Sequence, residues 1–314
     1  MAIKLFLQRK QKTLVFFLSL ILVIVSVSLF VSMGIFAQNQ VSSQSLEVSP
    51  PSQEVQADPG KTITVKSKVR NLSQAALPIK VHIEDFTASG EEGQVALEAA
   101  KGPYSLTNWS KITPASFTLK AGETQEIVAE VTIPKDNVAG GYYGSFVYGV
   151  TTPEQGGAAS IGQEIASLFL VKISGAVKEQ LFLDEFKAPA FLEFGPVPFS
   201  LKFTNKGNVH SKAFGLINVT DMFGNKVSDI VVTGSNVFPG ASRIIKASLN
   251  KQFLLGRYTA TAIMYYGSIK NDTLTSVTNF TVIPVRLLAT VILIFFILYL
   301  LRKRLRKALK VLFG

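Results

Sequence analysis

The sequence predicts an all-β protein whose strands lie between two hydrophobic segments. Short segments rich in β-branched and aromatic residues alternate apolar with polar positions, which is typical of half-buried strands. Turn residues separate these segments at the spacing of a strand plus a turn, and no intervening segment sustains a helical period for long. Many short strands of this kind favour β-sandwiches of the immunoglobulin type.

Eight segments show the strand pattern most clearly. They are residues 62–69, 79–83, 126–133, 145–148, 168–173, 200–203, 215–219 and 244–249. Turn signals such as Asp58-Pro59-Gly60 and Pro239-Gly240 fall between them, because proline presets one turn dihedral and glycine accepts the other. The order of strands and turns therefore predicts an antiparallel architecture.

The first hydrophobic segment, residues 13–37, is apolar, uncharged and follows a basic N-terminus. It is long enough to cross a bilayer, which needs ~20 apolar residues. The basic start and Ala37 at the end fit a cleaved signal peptide, whereas the length of the run and Ile35 near the cleavage point fit a retained anchor. We expect residues 1–37 to be one or the other.

The second hydrophobic segment, residues 283–301, predicts a transmembrane helix. Arg286 lies at its outer edge, where a long side chain can reach the headgroups. The tail that follows, residues 302–314, is basic and has no acidic residue. Its leucine spacing fits an amphipathic helix on the inner leaflet, and its charge fits an ordinary stop-transfer cluster. Both alternatives stay open.

The formal net charge of +11 is concentrated at the two ends of the chain. Ten of the 32 basic residues lie in residues 1–12 and 302–314, and the others nearly balance the 21 acidic residues. This distribution does not indicate a domain that binds nucleic acid. By the positive-inside rule it predicts a cell-membrane protein, single-pass or double-pass, with its domains outside and its C-terminus in the cytosol.

The chain has no cysteine, so neither a disulfide nor a lipid-modified N-terminal cysteine is available. The exported domains must then be held by their hydrophobic cores alone. The length between the two hydrophobic segments is enough for two domains with ordinary cores.

An internal repeat gives the predicted domain count. Gly122 aligns with Gly240 and Tyr148 with Tyr266 at a constant offset. In each copy an alternating strand, a polar connection and a second strand lie between the glycine and the tyrosine. Copies this far apart indicate two tandem sandwiches and not a short-repeat solenoid. We predict an immunoglobulin-like domain over residues 44–178 and another over residues 179–281.

Motifs in a fixed order run through both predicted domains. They are Pro59-Gly60, Leu106-x-x-Trp109, Gly122 and Gly141-Tyr142-Tyr143-Gly144 in the first domain, then Phe203-x-Asn205, Pro239-Gly240 and Gly256-x-Tyr258 in the second. In order and architecture the chain resembles the WxL-interacting proteins of Gram-positive cell surfaces, over nearly the whole exported region and the anchor. The resemblance implies an adaptor that binds peptidoglycan through the first domain and partner surface proteins through the second.

Nothing in the sequence points to catalysis. The two histidines, His82 and His210, lie in different predicted domains, and the chain lacks the HExxH, GxSxG, Walker and dinucleotide motifs. Adjacent acidic pairs such as Glu84-Asp85 and Glu91-Glu92 suggest a calcium site, which needs several oxygen ligands directed at one point. Neighbours on a strand point to opposite faces, however, which favours the alternative that these carboxylates are solvated charges. We expect no enzyme activity, no cofactor and no metal.

Aromatic residues near the middle of the first domain are the candidate binding surface. Tyr104, Trp109, Tyr142 and Tyr143 form a glycan-stacking platform in one interpretation. In the other they are core, because a sandwich without disulfides needs large buried side chains. Alternation places Phe146 and Tyr148 on one face of their strand and predicts that both are core. For Trp109, core or corner packing is the favoured alternative.

The expected function is that of a membrane-anchored extracytoplasmic binding or scaffold protein, which tethers cell-wall glycan, partner surface proteins or both. Open sandwich edges offer the mechanism, addition of a partner's extended strand, and the loop at 152–162 is the candidate edge or binding loop. A chaperone-like two-domain protein that assists surface-protein assembly is one alternative. An accessory ectodomain of a membrane complex is another.

Overall fold

The computed structural model describes residues 45–98, 105–152, 160–267 and 272–313. The predicted signal or anchor segment, Tyr104 and most of the 152–162 loop lie outside these ranges.

The first sandwich is built from ten strands. They are β1 (Leu46–Ser49), β2 (Ser52–Ala57), β3 (Thr62–Asn71), β4 (Leu77–Ser89), β5 (Gln94–Glu98), β6 (Ser110–Thr113), β7 (Ser116–Leu119), β8 (Thr124–Thr132), β9 (Gly140–Thr152) and β10 (Ser160–Ile173). One sheet has the order β1-β3-β8-β6 and the other β2-β10-β9-β4-β5, with β7 also paired to β4. A single 3₁₀ turn, Thr107–Trp109, precedes β6.

The second sandwich follows a short connection. Its strands are β11 (Leu181–Lys187), β12 (Phe191–Leu192), β13 (Val197–Asn205), β14 (Ser211–Lys212), β15 (Phe214–Asp221), β16 (Lys226–Val232), β17 (Asn236–Val237), β18 (Ser242–Leu249), β19 (Gly256–Tyr266) and β20 (Asp272–Val282). The sheets have the orders β11-β13-β18 and β12-β20-β19-β15-β16, with a small β14-β17 pair beside them. The protein is therefore mostly β, with two immunoglobulin-like sandwiches, as the sequence predicted.

The predicted strand segments lie in strands, apart from Ile133, which follows β8 directly. Burial alternates along β3 as the period-2 pattern requires. Phe146 and Tyr148 are fully buried in the first core, which confirms that prediction. The second core is centred on phenylalanines, including Phe199, Phe203 and Phe280. Each sandwich encloses its own hydrophobic core, as a chain without disulfides must.

A buried asparagine ends an early strand in each sandwich and holds two loops together. In the first sandwich the Nδ2 of Asn71 donates to the carbonyl oxygens of Ala75 and Leu119, at 2.7 and 3.0 Å. Its Oδ1 accepts from the backbone N–H of Ser73 at 2.8 Å, and its own carbonyl accepts from Gly122 N. The asparagine thus satisfies the buried carbonyl of Leu119 and partly buried backbone groups of the loop that follows β3.

Asn205 repeats this arrangement in the second sandwich. Its Nδ2 donates to the carbonyl oxygens of Val209 and Val237, at 2.8 and 2.7 Å, and its Oδ1 accepts from Gly207 N at 2.8 Å. Its carbonyl accepts from Gly240 N. Gly122 and Gly240, which the sequence repeat aligns, make the same contact in the two sandwiches, so the repeat is a structural one.

A single apolar helix, α1 (Val285–Phe313), follows β20. Residues Val285–Arg302 have a mean hydropathy of 2.3 and are not buried against the rest of the described chain, so this segment is long and apolar enough to cross a membrane. The helix begins two residues after the predicted start, and its backbone continues through the basic tail. Its first hydrogen bonds include one from Leu288 N to the carbonyl of Pro284.

The twin asparagines yield a stability prediction. Asn71→Ala and Asn205→Ala should each lower the free energy of unfolding by about 2 to 4 kcal/mol, because each leaves buried backbone groups without partners. Denaturant unfolding of the full chain in detergent measures the loss. Asn218→Ala is the matched control, since Asn218 makes one exposed hydrogen bond to Asp229 and should cost less than ~1 kcal/mol. Losses as small as the control's in both variants would contradict the assigned role.

Candidate functional site

The predicted aromatic residues lie mainly inside the first sandwich. Tyr142 and Tyr143 are 4% and 5% exposed. Tyr142 faces the first core, where its ring packs against half-buried Trp109 at 5.0 Å and its hydroxyl donates to Asn137 Oδ1 at 2.7 Å. Tyr143 faces the opposite way, toward the second sandwich. The structure therefore separates the two tyrosines, and neither ring offers much area to a ligand.

The acidic pair Glu84-Asp85 has a structural explanation. Asp85 is buried, and its Oδ1 accepts from the backbone N–H of Leu106 at 2.9 Å and from the N–H and hydroxyl of Thr107. It therefore caps the 3₁₀ turn that carries Trp109. Among the described residues there is no group of three His, Asp or Glu side chains placed to hold a metal ion.

A hydrophobic cluster joins the two sandwiches. Phe238 of the second sandwich packs against Phe86 and Tyr143 of the first, with ring centroids 5.3 and 4.8 Å apart and the rings edge to face. Leu170 of β10 completes the buried part of the cluster. Edge-to-face pairs of this kind contribute about 0.5 to 1.5 kcal/mol each beyond the area they bury.

Polar contacts surround this joint. The turn between β4 and β5 lies against the β13-β18 sheet, where Glu91 pairs with Lys202 and Glu92 with Lys246, both at 2.6 Å. The backbone N–H of Ile244 donates to the carbonyl of Glu91 at 2.6 Å. Because the side chains of these ion pairs are partly or fully exposed, solvent screens their attraction and each pair contributes little to stability. The aromatic cluster is therefore the stronger contact between the two sandwiches.

A second polar group at the joint centres on Glu54 of β2. Its carboxylate accepts from Lys212 Nζ at 2.5 Å and from Asn236 Nδ2 at 2.9 Å. His210 lies beside it with Nε2 3.8 Å from Glu54 Oε2, its side chain 7% exposed and its ring edge to face with Tyr143. Burial lowers the pKa of His210 to about 4, with Glu54 opposing and Lys212 assisting the shift. The imidazole is accordingly neutral at pH 7.

Asn208 of the second sandwich forms hydrogen bonds with the first sandwich at the joint. Its Nδ2 donates to the carbonyl of Ala139 at 2.9 Å, its Oδ1 accepts from Lys178 N, and its carbonyl accepts from Gly141 N at 2.8 Å. The connection between the sandwiches is braced as well, by an ion pair of 2.7 Å between Lys172 and Glu179. Backbone and side chain together therefore fix the start of β9 against the second sandwich.

The outer side of β10 is the candidate binding site. On its inner side β10 pairs with β9 along its full length. On its outer side β2 pairs only with Leu168–Ile173, so within the described part of the chain residues 160–166 have no neighbouring strand there. Glu164 is exposed, while Ile165 and Ala166 are half-buried. Such an edge presents main-chain donors and acceptors to an extended segment of another chain.

Sequence reasoning predicted open edges but did not identify this strand. A register shift near Ile161 and Gln163 interrupts the β9-β10 ladder, and an interruption of this kind is a common device at sheet edges. Which strand remains uncovered depends on where β2 ends, and that follows from tertiary pairing. The adjoining loop was predicted as an edge or binding loop, but most of it lies outside the described residues.

Comparisons with known proteins show that the chain is similar in fold to several solved structures. No family model matches the chain, and no curated protein matches it. Similar solved structures include the class 5 fimbriae chaperone CfaA, with 13% identity, a TM-score of 0.39 and coverage of 74% of this chain and 98% of that chain. The YadV chaperone has 11% identity and a TM-score of 0.38, with coverage of 75% of this chain and 100% of that chain. The E. coli chaperone DraB has 13% identity and a TM-score of 0.33, with coverage of 76% of this chain and 96% of that chain. The similarity to two-domain chaperones of the PapD type is distant.

His210 yields a prediction about pH. The folded pKa of about 4 is below the ordinary 6.5, so the unfolded chain binds the proton more readily and stability is lost as pH falls through this window. Between pH 7 and pH 5 we expect His210 to account for a loss of roughly 2 kcal/mol. Denaturant unfolding of the full chain in detergent at both pH values checks this. His210→Gln should lose less stability than the unsubstituted chain over that interval.

The other histidine supplies the control for this experiment. His82 is half-buried and pairs with Glu84 at 3.0 Å within the first sandwich. His82→Gln is measured in parallel, so that a change in pH dependence is assigned to position 210 and not to the loss of any imidazole. If His210→Gln kept the full pH dependence, the joint histidine would not be its source.

Proposed function

We propose that the chain is a non-catalytic, membrane-anchored binding protein that holds an extended segment of a partner surface protein along the open edge of β10. The observation that carries the proposal is the edge itself, seven residues of strand whose outer side has no neighbour among the described residues. Strand addition uses main-chain hydrogen bonds for affinity and the neighbouring side chains for specificity.

The apolar helix supports the membrane part of the proposal. Its composition and its place directly after the second sandwich fit a C-terminal anchor with the sandwiches outside the cell and the basic tail inside. The fixed joint supports the binding part, because a rigid platform loses less conformational entropy when a partner docks.

Binding of cell-wall glycan is the less supported part. It comes from the resemblance to the WxL-interacting proteins, which implies peptidoglycan binding by the first domain. Burial of Tyr142 and Tyr143 leaves Trp109 as the half-buried member of the predicted platform that the structure describes. A protein partner is therefore the ligand that the geometry supports best.

A crosslinking experiment tests the proposed edge. A photoreactive amino acid replaces Glu164 in the full chain, expressed in cells whose surface proteins are intact. We expect light-dependent crosslinks to a defined surface protein, mapped by mass spectrometry to one extended segment, because a segment added to β10 would pass beside this side chain. Co-sedimentation of the same chain with purified wall polymer measures glycan binding separately.

The matched control places the same photoreactive amino acid at Val231. This residue is exposed on β16, an edge strand of the second sandwich. Equal crosslinking from both positions, or none from position 164, would refute the edge as the binding site. Sedimentation with the polymer but no protein crosslink would favour a wall-binding function instead.

A chaperone-like function is the second candidate, and the position of the open edge favours it. The edge belongs to the strand that leads into the joint, and its near end at Ala166 is four residues, roughly 13 Å of strand, from Leu170 of the joint cluster. The two functions differ in what happens next. A scaffold keeps the crosslinked segment, whereas a chaperone passes it to another protein, which a pulse-chase version of the same crosslinking measures.

A further inference from the structure

Three loops of the second sandwich meet at the end from which the helix leaves. Val282, the last residue of β20, lies between Leu192 of β12 and Gly256 of β19. The loop before β19 is stacked on the loop before β13, since Gly195 N donates to the carbonyl of Gln252 at 3.1 Å. The turn after β15 reaches the same end, because a Cβ on Gly256 would lie 3.8 Å from the sulfur of Met222.

These loops carry apolar side chains into the solvent. Among the described residues before the helix, three phenylalanines are at least half exposed, and all three lie at this end: Phe191 at 50%, Phe223 at 82% and Phe253 at 85%. Further exposed apolar side chains lie beside them. We call the set the apolar rim: Phe191, Phe194, Met222, Phe223, Phe253 and Leu255.

Hydrogen bonds hold two of the loops in shape. Asp221 Oδ1 accepts from the backbone N–H groups of Phe223 and Asn225, both at 2.9 Å. In the other loop the hydroxyl of Tyr258 accepts from Leu255 N at 2.9 Å and donates to the carbonyl of Leu255 at 3.1 Å. The apolar side chains are thus presented by ordered turns, which indicates a surface built to contact something.

The link from the sandwich to the helix is short. Only Ile283 and Pro284 separate β20 from α1. Two extended residues span at most about 7 Å, so the rim cannot stand far from the point where the helix enters a bilayer. The charged groups at this end fit the same location. Arg286, the second residue of the helix, is exposed, and Glu193 Oε1 lies 3.5 Å from its Nε; at the end of a spanning helix such a side chain can reach the lipid headgroups.

From this placement we infer that the apolar rim inserts into the outer-leaflet interface of the membrane that the helix crosses. The inference rests on the proposed membrane anchoring. Phenylalanine, leucine and methionine side chains are stabilised when they leave water for the boundary between headgroups and acyl chains. Interfacial elements bury their apolar surface about 5 to 10 Å deep there. The rim therefore adds a second contact with the bilayer and fixes the tilt of the second sandwich on its anchor.

Site-specific quenching tests the inference, because the chain has no cysteine and an introduced thiol is labelled alone. The variants Phe223→Cys, Phe253→Cys, Val231→Cys and Leu293→Cys carry an environment-sensitive fluorophore in the full chain. Each is reconstituted into vesicles of phosphatidylcholine and phosphatidylglycerol in equal parts, with and without lipids that bear a quencher near the headgroup. For position 293, which lies near the middle of the span, the quencher is instead carried deep in the acyl chain. We expect severalfold stronger quenching at positions 223 and 253 than at 231.

Position 231 is the matched control and position 293 the anchor control. Val231 is exposed on the same sandwich, and its partner Leu216 lies near the opposite end of β15 from the 222–225 turn. Quenching at 293 with none at 223 and 253 would overturn the rim contact while leaving the anchor in place. No quenching at 293 would refute the anchor and the rim together.

A second measurement guards against an effect of the label itself. Leu255→Cys is labelled alone and again in a chain that also carries Phe223→Ser and Phe253→Ser. If the rim inserts as a unit, the two serines should reduce the quenching at 255 severalfold. Unchanged quenching would show that the label enters the bilayer by itself. Quenching that vanished only on addition of a surface-protein extract would identify the rim as a protein contact and refute the lipid assignment.

Discussion

The aromatic contact between the two sandwiches is the constraint on which their arrangement depends. Phe238 is inserted against Phe86 and Tyr143, and the partly exposed ion pairs around it are individually too weak to hold two domains. Without the ring contact, the acidic turn of the first sandwich and the basic sheet of the second would still attract, but many relative orientations would satisfy them. The rings select one orientation, and His210 is buried as a consequence.

Because the joint is fixed, the two sandwiches have a defined order from the joint to the end that carries the helix. β13 runs from the helix end of the second sandwich at Val197 to the joint end at Asn205, a rise of roughly 25 Å. The open edge of β10 lies beyond the joint and the apolar rim lies at the other end. If the rim rests in the membrane as inferred, the second sandwich acts as a spacer that presents the binding edge at a set height above the bilayer.

Sequence patterns predict the strands well because they depend on local alternation, and the repeat predicts the equivalent turn glycines, Gly122 and Gly240, whose N–H groups donate to the carbonyls of Asn71 and Asn205. The aromatic site was harder to predict. Alternation shows only that Tyr142 and Tyr143 face opposite ways, and such a pair normally has one exposed member. Here Phe238 from a distant segment covers the second face. Likewise, nothing local to Phe223 or Phe253 shows that both turns lie at the helix end, since strand order decides that.

The distribution of charge and of main-chain edges explains how the proposed function can be selective while the two sandwiches are nearly neutral. Most of the excess positive charge lies at the chain ends, where in the proposed topology it fixes orientation across the membrane and does not attract ligands. Recognition along a strand edge depends on hydrogen bonds that every peptide offers, so selectivity must come from side chains beside the edge and from the height at which the edge is held. A partner with a suitable segment tethered at the wrong distance from the membrane would bind poorly, because its effective concentration at the edge would be low. In this arrangement, geometry performs the discrimination that charge performs in more polar interfaces.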